Sequence, residues 1–488
     1  MKKFATLLVC SFLISFRLTA QFADLKYTNQ FDISKHTGEK PQAKVWQYAS
    51  QNWAVLATSG GTKIYRLDGT TWTAVLTIAS STNPKCDVKV VGNVTHILLF
   101  RGASGNSYIV SVEYDAALNR YKLWGQRSSK VTIIFESGTE VATLDMDSRG
   151  RMWAASAGTD KVYVRWSDAP YSSWSNPITI ASGIKDDDIC GIRALSGGKI
   201  GVLWSNQNSK RFGFKTHTDG SDPASWSGDE EPASQSAQNV GGGFPDDHLN
   251  LLLSSNGTLY CAVKTSYETA GYPKLLLLVR RSAGTWDNAY QVTSFADGGT
   301  RPIVILNEAI GKLKVVYTSV ENGGNILYRE SSTASISFGS PTTLITGTYN
   351  YVTSTHQTYN SDIAILVTDV SSTDLRAVGF LGSDGPVAAL AGTKAEEPVL
   401  QQQLDVYPNP FASKATIRFA MPADGDYSLT LFDARGKRIS LLRQGKGAAE
   451  QLQTVEVDAD TAGLNEGLYF ARLQTSSGIK TFRLMLER

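Results

Sequence analysis

Apolar and polar residues alternate along most of the chain in short runs that end at glycine-containing turns. In the segment Val141–Ser156, two apolar runs flank a turn that contains Gly150, and the arrangement recurs at 189–204, 249–263 and 302–317. Alternation of this kind between turn signals is typical of antiparallel strands joined by hairpins. The pattern therefore predicts an all-β protein.

These hairpins belong to a longer repeat. A third apolar run follows each hairpin, then a turn that contains an aromatic residue, and then a short fourth strand. The aromatic residues are Trp72, Trp174, Trp226, Trp286 and Phe338. Four-stranded units that recur every roughly 40 to 60 residues are typical of a β-propeller. Together with weaker copies near Val45, Asp87 and Tyr351, the starts predict seven blades, with six as the alternative. The last blade is expected to be closed by a strand from the region before Val45.

The N-terminus has a different pattern. Lys2 and Lys3 precede an apolar run that ends at Phe16, and Ala20 offers a small residue before Gln21. This is the pattern of a secretory signal peptide at 1–20, which is too short to span a membrane as a mature helix. No other apolar run is long enough for a transmembrane segment.

The C-terminal residues 404–488 alternate apolar and polar positions between turns, which predicts a small antiparallel β-sandwich. The segment opens with Tyr407-Pro-Asn-Pro-Phe411, continues through Asp433-Ala-Arg-Gly436 and Gly467-Leu-Tyr-Phe470, and ends in a basic terminus. In these motifs and their order, Leu404–Arg488 resembles the C-terminal sorting domain of type IX secretion substrates. The resemblance implies the type IX secretion machinery as a partner, and export across the outer membrane to the medium or the cell surface.

The predicted domains follow from these patterns. The propeller is assigned to 21–385, and the small, polar segment 386–403 is the predicted linker to the sorting domain. Three turns precede aromatic residues in the repeat: Asp68-Gly69, Ser167-Asp168 and Asp219-Gly220. They resemble degenerate Asp boxes of the sialidase-like propellers, which implies that fold for roughly Lys44–Gly382. In that family the box is structural and carries no chemistry.

Composition excludes several partners. The chain has 47 basic and 45 acidic residues, so it has no basic footprint for nucleic acid or for a membrane surface. Cys86, Cys190 and Cys261 are too few and too widely spaced for a disulfide framework, and no C-x-x-C motif indicates zinc. We expect them to be buried thiols, and we expect neither a metal nor another cofactor.

Candidate chemistry follows from the phase of the repeat. In a propeller the innermost strands begin, and the second strands end, on one face, where loops surround the central funnel. We expect a ligand there. The candidate substrate-binding residues are Asp187, Asp188, Asp247, Lys264 and Arg301, and the candidate catalytic residues are His248, Tyr267 and Arg301. Arg101 and His356 are expected on the same face.

These residue types point to an acidic sugar. The planar fork of Arg301 matches a carboxylate, and His248 beside two aspartates is a candidate base. We therefore expect an exported propeller that interacts with carbohydrate. Its enzymatic status stays open, with a polysaccharide lyase or glycoside hydrolase acting on an acidic glycan as one alternative and a protein-binding adhesin as another. A sialidase is disfavoured because a third clamping Arg and a Tyr–Glu pair are missing from the pattern, and no peptidase motif occurs.

Overall fold

The structure, a computed structural model, describes residues 22–102, 105–384, 405–407, 411–420, 424–433, 437–448, 452–475 and 478–487. The predicted signal peptide and linker lie outside these residues. The chain forms two compact units, 1–387 and 388–488. Their regular structure is almost entirely β-strand, as the alternation predicts.

The first unit consists of consecutive antiparallel sheets, each ordered along the chain. Before them stand β1 (Asp24–Tyr27) and β2 (Phe31–Asp32). The first sheet contains β3 (Val45–Tyr48), β4 (Gln51–Thr58), β5 (Gly61–Asp68) and β6 (Thr71–Ala79). The second contains β7 (Lys85–Val91), β8 (Val94–Phe100) and β9 (Ser107–Asp115), with β10 (Arg120–Leu123) and β11 (Val131–Ile133) both paired to β9. The third contains β12 (Ala142–Met146), β13 (Met152–Ala157), β14 (Lys161–Ser167) and β15 (Ile178–Ser182).

The fourth sheet contains β16 (Cys190–Leu195), β17 (Lys199–Asn206) and β18 (Arg211–Thr218). The fifth contains β19 (Leu249–Leu253), β20 (Leu259–Lys264), β21 (Pro273–Arg280) and β22 (Tyr290–Ser294). The remaining strands are β23 (Thr300–Asn307), β24 (Lys312–Thr318), β25 (Gly324–Ser332), β26 (Thr342–Thr353), β27 (Asp362–Asp369) and β28 (Arg376–Ser383). The long strand β26 pairs with β25 through its first part and with β27 through its second, so it is shared by the sixth and seventh sheets.

The seventh sheet is completed from the N-terminus, as the sequence predicts. Asp24 of β1 pairs with Ser383 of β28, and Phe31 of β2 pairs with Ala377 of the same strand. The innermost strands β3, β7, β12, β16, β19, β23 and β26 follow one another around a centre, and β27 of the last sheet returns to β3. This is a β-propeller.

Polar side chains on the innermost strands tie neighbouring sheets together. Asp145 accepts the backbone N–H of Ala194 on the next sheet at 3.0 Å, and Asn250 accepts that of Val304 at 3.2 Å. Because buried polar groups are costly without partners, these bonds satisfy both the side chain and a backbone donor near the axis. They fix the order of the sheets around the centre.

The aromatic residues of the repeat pack between neighbouring sheets. Trp174 packs against residues of the second and third sheets, Trp286 against the fourth and fifth, and Phe338 against the fifth and sixth. Trp72 is 4% exposed and lies within β6 rather than in the turn before it. The fourth sheet lacks a regular fourth strand in the part of the chain that is described, and Trp226 follows β18 in an irregular segment.

Residues 33–44, here called the strap, connect β2 to β3 across the face at which the innermost strands begin. The Lys40 ammonium lies 2.7 Å from Glu140 ahead of the third sheet, and the Lys40 carbonyl accepts Asn250 Nδ2 of the fifth sheet at 3.4 Å. Gln42 Nε2 donates to the carbonyl of Ala142 at 2.8 Å. The sequence predicts an open funnel here, but the centre of this face is filled by the strap.

The second unit is the predicted antiparallel sandwich. One sheet contains β29 (Asp405–Tyr407), β30 (Lys414–Ala420) and β33 (Leu452–Asp458), and the other contains β31 (Gly425–Asp433), β32 (Arg438–Gly447), β34 (Gly467–Thr475) and β35 (Gly478–Leu486). Alternate residues of both sheets, among them Ile417, Leu429 and Leu484, form one buried core. Of the motif that opens this segment, Pro408 to Pro410 lie outside the described residues.

Within the described residues, the three cysteines are free thiols and are fully buried. Burial raises the pKa of Cys86 to about 12 and raises the pKa of Cys190 and Cys261 further above the ordinary thiol value. In the described part of the chain, helices long and apolar enough to cross a membrane are absent.

Candidate functional site

A line of alternating charges runs across the face at which the innermost strands begin, here called the strand-start face. Arg301 of β23 pairs with Glu321 of the β24–β25 loop at 2.7 Å, and Glu321 pairs with Lys264 at the end of β20 at 2.9 Å. Lys264 lies 3.4 Å from Asp246, ahead of β19. The bond from Lys264 and its charge outweigh the effect of burial and lower the pKa of Glu321 to about 2. Glu321 is therefore ionised at neutral pH.

His248 forms the middle of the network. Its Nδ1 lies 2.9 Å from Asp246 Oδ1 and 2.6 Å from Asp247 Oδ1, and the side chain is buried. Burial opposes the charge of the imidazolium, but the bonds to the two carboxylates outweigh it and raise the pKa of His248. A raised pKa favours the imidazolium form, so His248 is better suited to donate a proton or to supply a charge than to act as a base.

The strap carries the network to the other side of the ring. Lys40 forms ion pairs with Asp247 and Glu140. Lys85 of β7 lies 3.9 Å from Glu140 and 3.0 Å from Glu39. The Lys40 side chain is only 6% exposed, and a buried ammonium is stable only when carboxylates surround it. The acidic residues of this face thus hold the strap in place.

At the other end of the network, Arg301 and Tyr351 form an aromatic and cationic surface. The Arg301 guanidinium lies 4.9 Å from the centre of the Tyr351 ring. The His36 imidazole of the strap stacks on the same ring, with 3.7 Å between centroids and 8° between planes. Arg301 and Tyr351 both adopt left-handed backbone conformations, with φ of 49° and 58°. Strained residues of this kind occur preferentially at functional sites.

The pKa of His36 is shifted in the opposite direction to that of His248. Burial lowers the pKa of His36 to about 4; Glu39 opposes the shift, and Lys35, Lys44 and Arg301 contribute to it. Its imidazole is therefore neutral at pH 7 and can accept a proton. Two histidines whose pKa values are shifted in opposite directions thus lie on one face of the molecule.

A cleft opens on the same face beside Glu140. It has a volume of about 690 Å³ and is lined by the loop after β8, by 133–140 and by Asp186. Ile134 in its wall is 70% exposed, and Glu136 in its wall pairs with Arg165 at 2.5 Å. The cleft therefore combines apolar and acidic walls next to the charge network.

The structure brings some of the predicted site residues together and separates others. Asp247, His248, Lys264 and Arg301 belong to the charge network, and the exposed Asp187 lies beside Asp247. Burial and the nearby Asp247 raise the pKa of Asp187.

Asp188 and Tyr267 have other bonds. The Asp188 carboxylate accepts the backbone N–H of Lys185 at 2.7 Å and that of Gln207 at 3.1 Å, as a turn residue does. The Tyr267 hydroxyl accepts the backbone N–H of Gln238 at 2.6 Å, and its ring is buried in the core against Phe244. The Tyr267 hydroxyl therefore makes its hydrogen bond within the protein interior.

Two further expectations concern neighbouring loops. Arg101 leaves β8 on the strand-start face, as expected, and its Nε donates to Asn83 at 3.2 Å. His356 follows the end of β26, so it lies on the opposite face; the expectation for His356 is wrong because the innermost segment of the seventh sheet ends at Thr353.

Two groups of side chains offer three metal-ligand atoms within 4.8 Å of one another: Asp246, Asp247 and His248, and Glu140, Asp187 and Asp247. Apart from Asp187, the carboxylates of both groups already bind protein cations. Lys264 pairs with Asp246, and Lys40 pairs with Asp247 and Glu140. The arrangement is that of a neutralised ion-pair network.

Sequence reasoning missed the residues that the strap contributes. His36 and Lys40 lie outside the repeat, so no phase argument assigns them to a face. Glu321 could have been predicted from the sequence, because it follows the second strand of its sheet and second strands end on the strand-start face. Tyr351 marks the start of a weaker copy of the repeat, but the sequence does not predict its left-handed backbone conformation.

Comparison with known proteins identifies the C-terminal unit. Residues 405–487 match the family model described as secretion system C-terminal sorting domain. The chain carries a type IX sorting domain. This confirms the resemblance, and it indicates export to the cell surface or the extracellular space. Among curated protein sequences, none matches the chain.

Solved structures of low sequence identity resemble the propeller. An ulvan lyase bound to an oligosaccharide of GlcA and Rha3S is 11% identical, with 73% of this chain and 96% of that chain covered and a TM-score of 0.49. A protein of unknown function from Dyadobacter fermentans is 11% identical, with 74% and 99% covered and a TM-score of 0.43. A lectin in complex with alpha methyl fucoside is 10% identical, with 63% and 96% covered and a TM-score of 0.40. At these values the likeness carries no argument about activity.

Proposed function

We propose that this exported propeller binds an acidic glycan on its strand-start face, with Arg301 as the residue that holds the sugar carboxylate. The observation that carries the proposal is the stacked arrangement of Arg301, Tyr351 and His36. All three residues are half-buried, so each presents part of its surface to a ligand while its position is fixed by packing.

The bonding of Arg301 supports a carboxylate ligand. Its bonds to Glu321 and Thr300 all run through Nη1, and within the described residues its Nε and Nη2 donate no hydrogen bond. A guanidinium edge of this kind matches a carboxylate in a bidentate geometry. Glu321 fixes the side chain, which reduces the ordering cost of binding.

The aromatic surface supports a sugar. Tyr351 and His36 form a planar stack beside the guanidinium, and pyranose rings bind to planar aromatic surfaces flanked by polar groups. The cleft of about 690 Å³ lies at the other end of the charge network, beside Glu140, so only a glycan of several units that follows the strand-start face reaches it. A chain of several residues with at least one uronate is therefore the ligand that we favour.

A glycan panel tests this proposal. The full-length chain is titrated calorimetrically with polygalacturonate and alginate fragments and with neutral glucan fragments of equal length. We expect the acidic fragments to bind and the neutral ones to bind at least about tenfold more weakly, since one charge-assisted bidentate contact is lost. Arg301→Ala should remove this difference. Arg281→Ala is the matched control, because Arg281 also pairs with a carboxylate, that of Asp287, and lies outside the network. Equal binding of acidic and neutral fragments by the unchanged chain contradicts the proposal.

Elimination from a bound uronate is a second candidate function, favoured by the neutral state of His36. In this reaction a base takes the proton beside the carboxylate, the glycosidic oxygen leaves with a proton, and an unsaturated sugar end forms. Arg301 would neutralise the carboxylate, His36 would be the base, and His248 or Tyr351 would supply a proton. The test is the ultraviolet absorbance of unsaturated ends. If the chain binds acidic fragments and no such ends appear, binding alone is the function.

A further inference from the structure

A second cavity lies at the opposite end of the central channel, where the innermost strands end. This end is here called the strand-end face. The cavity has a volume of about 340 Å³. Its polar wall contains Lys89 at the end of β7, Asp145 of β12, Arg193 of β16 and His356 after β26. Because four different sheets contribute these side chains, the cavity lies on the axis of the ring and is separate from the strand-start face.

Arg193 has unused hydrogen-bonding capacity in this cavity. Its side chain is 6% exposed. Its Nε donates to the carbonyl of Leu251 at 3.1 Å and its Nη1 to that of Ile192 at 2.8 Å, so the guanidinium is held rigidly. Its Nη2 is buried and makes no hydrogen bond within the described residues. A buried guanidinium nitrogen without an acceptor is costly, so a small rotation of the Arg193 side chain that brings Nη2 to an acceptor in the cavity is favourable.

The charges around the cavity favour an anion. Lys89 and Arg193 lie 2.5 and 3.7 Å from the Asp145 carboxylate, so two cations face one anion. Burial raises the pKa of the neighbouring Asp87 to about 7, which removes part of its negative charge at neutral pH. Burial also lowers the pKa of His356 well below its usual value, so its imidazole is neutral. The cavity thus keeps an excess of positive charge.

The cavity also has an apolar part. Trp46, Val90, Leu195 and Leu253 belong to its lining, together with the uncharged polar residues Ser196, Thr355 and Gln357. A volume of about 340 Å³ is at the lower end of the range for small-molecule sites, about 300 to 1,000 Å³. Inorganic anions are small and strongly hydrated, and they would leave most of this apolar wall without a contact.

We propose that the cavity at the strand-end face is a binding site for a small organic carboxylate. Its carboxylate accepts from Arg193 Nη2 and Lys89, and its body, the size of one sugar ring or one aromatic ring, contacts the apolar wall. This proposal is independent of the glycan site, because the two share none of the residues that carry them.

Calorimetry on the full-length chain tests the proposal. The probes are benzoate and glucuronate, their neutral counterparts benzyl alcohol and glucose, and inorganic phosphate. We expect at least one of the two carboxylates to bind with a Kd below about 1 mM and its neutral counterpart to bind at least about tenfold more weakly. Binding of benzoate alone would identify the ligand as an apolar acid, and binding of glucuronate alone would identify it as a sugar acid. Failure of both carboxylates, or binding of phosphate alone, overturns the proposal.

Variants assign the binding to this cavity. Lys89→Met should weaken the carboxylate at least about tenfold, because one of its two charged contacts is lost. Lys122→Met is the matched control, since Lys122 also pairs with carboxylates but is exposed on the outer part of the second sheet. Ser196→Trp, at an exposed position of the cavity wall, should block entry without removing a charge. If the carboxylate binds equally well to Ser196→Trp and Lys89→Met, the site lies elsewhere and the inference is wrong.

Discussion

The backbone N–H of Leu144, on the third sheet, donates a 2.9 Å hydrogen bond to the Asp87 carboxylate on the second. The other carboxylate oxygen accepts the backbone N–H of Ala43 from the strap, also at 2.9 Å. One fully buried side chain therefore joins the strap to two neighbouring sheets. Its protonation state bears on how firmly the ring is closed.

We expect stability to fall as the pH rises through neutrality because of Asp87. Burial raises its pKa from 3.8 to about 7, so the folded state binds its proton more tightly than the unfolded state does. This contribution is complete below pH 3.8 and is lost as the pH rises towards 7. Urea unfolding at several pH values, in the unchanged chain and in Asp87→Asn, measures it. A pH dependence that is identical in the two proteins would show that Asp87 does not titrate in this range.

Replacing Arg301 should affect binding and stability differently. Its φ of 49° is strained for arginine and acceptable for glycine. The free energy of unfolding of Arg301→Gly should therefore be higher than that of Arg301→Ala by about 1 kcal/mol. Both variants should lose the preference for acidic glycans. Chemical denaturation with parallel binding measurements tests this. If Arg301→Gly is the less stable variant, the left-handed conformation is not strained.

Trp153 and Trp226 should differ in their contribution to stability. The two rings meet edge to face with centroids 5.9 Å apart, but Trp153 is fully buried whereas Trp226 is half-buried. Trp153→Ala should lower the free energy of unfolding by roughly 3–5 kcal/mol, and Trp226→Ala by less. The two denaturation midpoints provide the comparison. A larger loss for Trp226→Ala would contradict the packing described for this pair.

The cysteines should be unreactive in the folded protein. Cys86, Cys190 and Cys261 are buried with raised pKa values, so their thiolates are scarce at neutral pH. Intact mass after alkylation should show no label under native conditions and three labels on the mature chain in denaturant. A mass lower by two hydrogens, with two cysteines unlabelled in denaturant, would reveal a disulfide.

The sorting domain should be necessary for export. Deletion of residues 404–488 should leave the propeller in the periplasm, because the matched segment carries the export information. Immunoblots of periplasm and medium compare the full-length and truncated chains. A point variant of the folded sandwich, such as Leu429→Asp in its core, should give the same result. Arrival of the truncated chain in the medium would contradict this assignment.

The sequence was sufficient for the architecture and insufficient for the site. Alternation and turn spacing are local, so the strands around Val141–Ser156 and their counterparts could be predicted with their order in each sheet. The strap could not, because its conformation depends on partners from several sheets and on charges such as Lys40 that satisfy carboxylates far away along the chain. The stacking of His36 on Tyr351 is likewise a tertiary event with no periodic signal.

The pairing of β1 with β28 sets the order in which the ring can form. Asp24 lies in the first strand of the propeller, and its partner Ser383 lies in the last. A contact between such distant positions has a high entropic cost and forms late. Until the last strand of the propeller is available, the ring therefore cannot close. The segment that follows the last strand is the sorting domain, so closure of the ring and appearance of the export signal coincide in time.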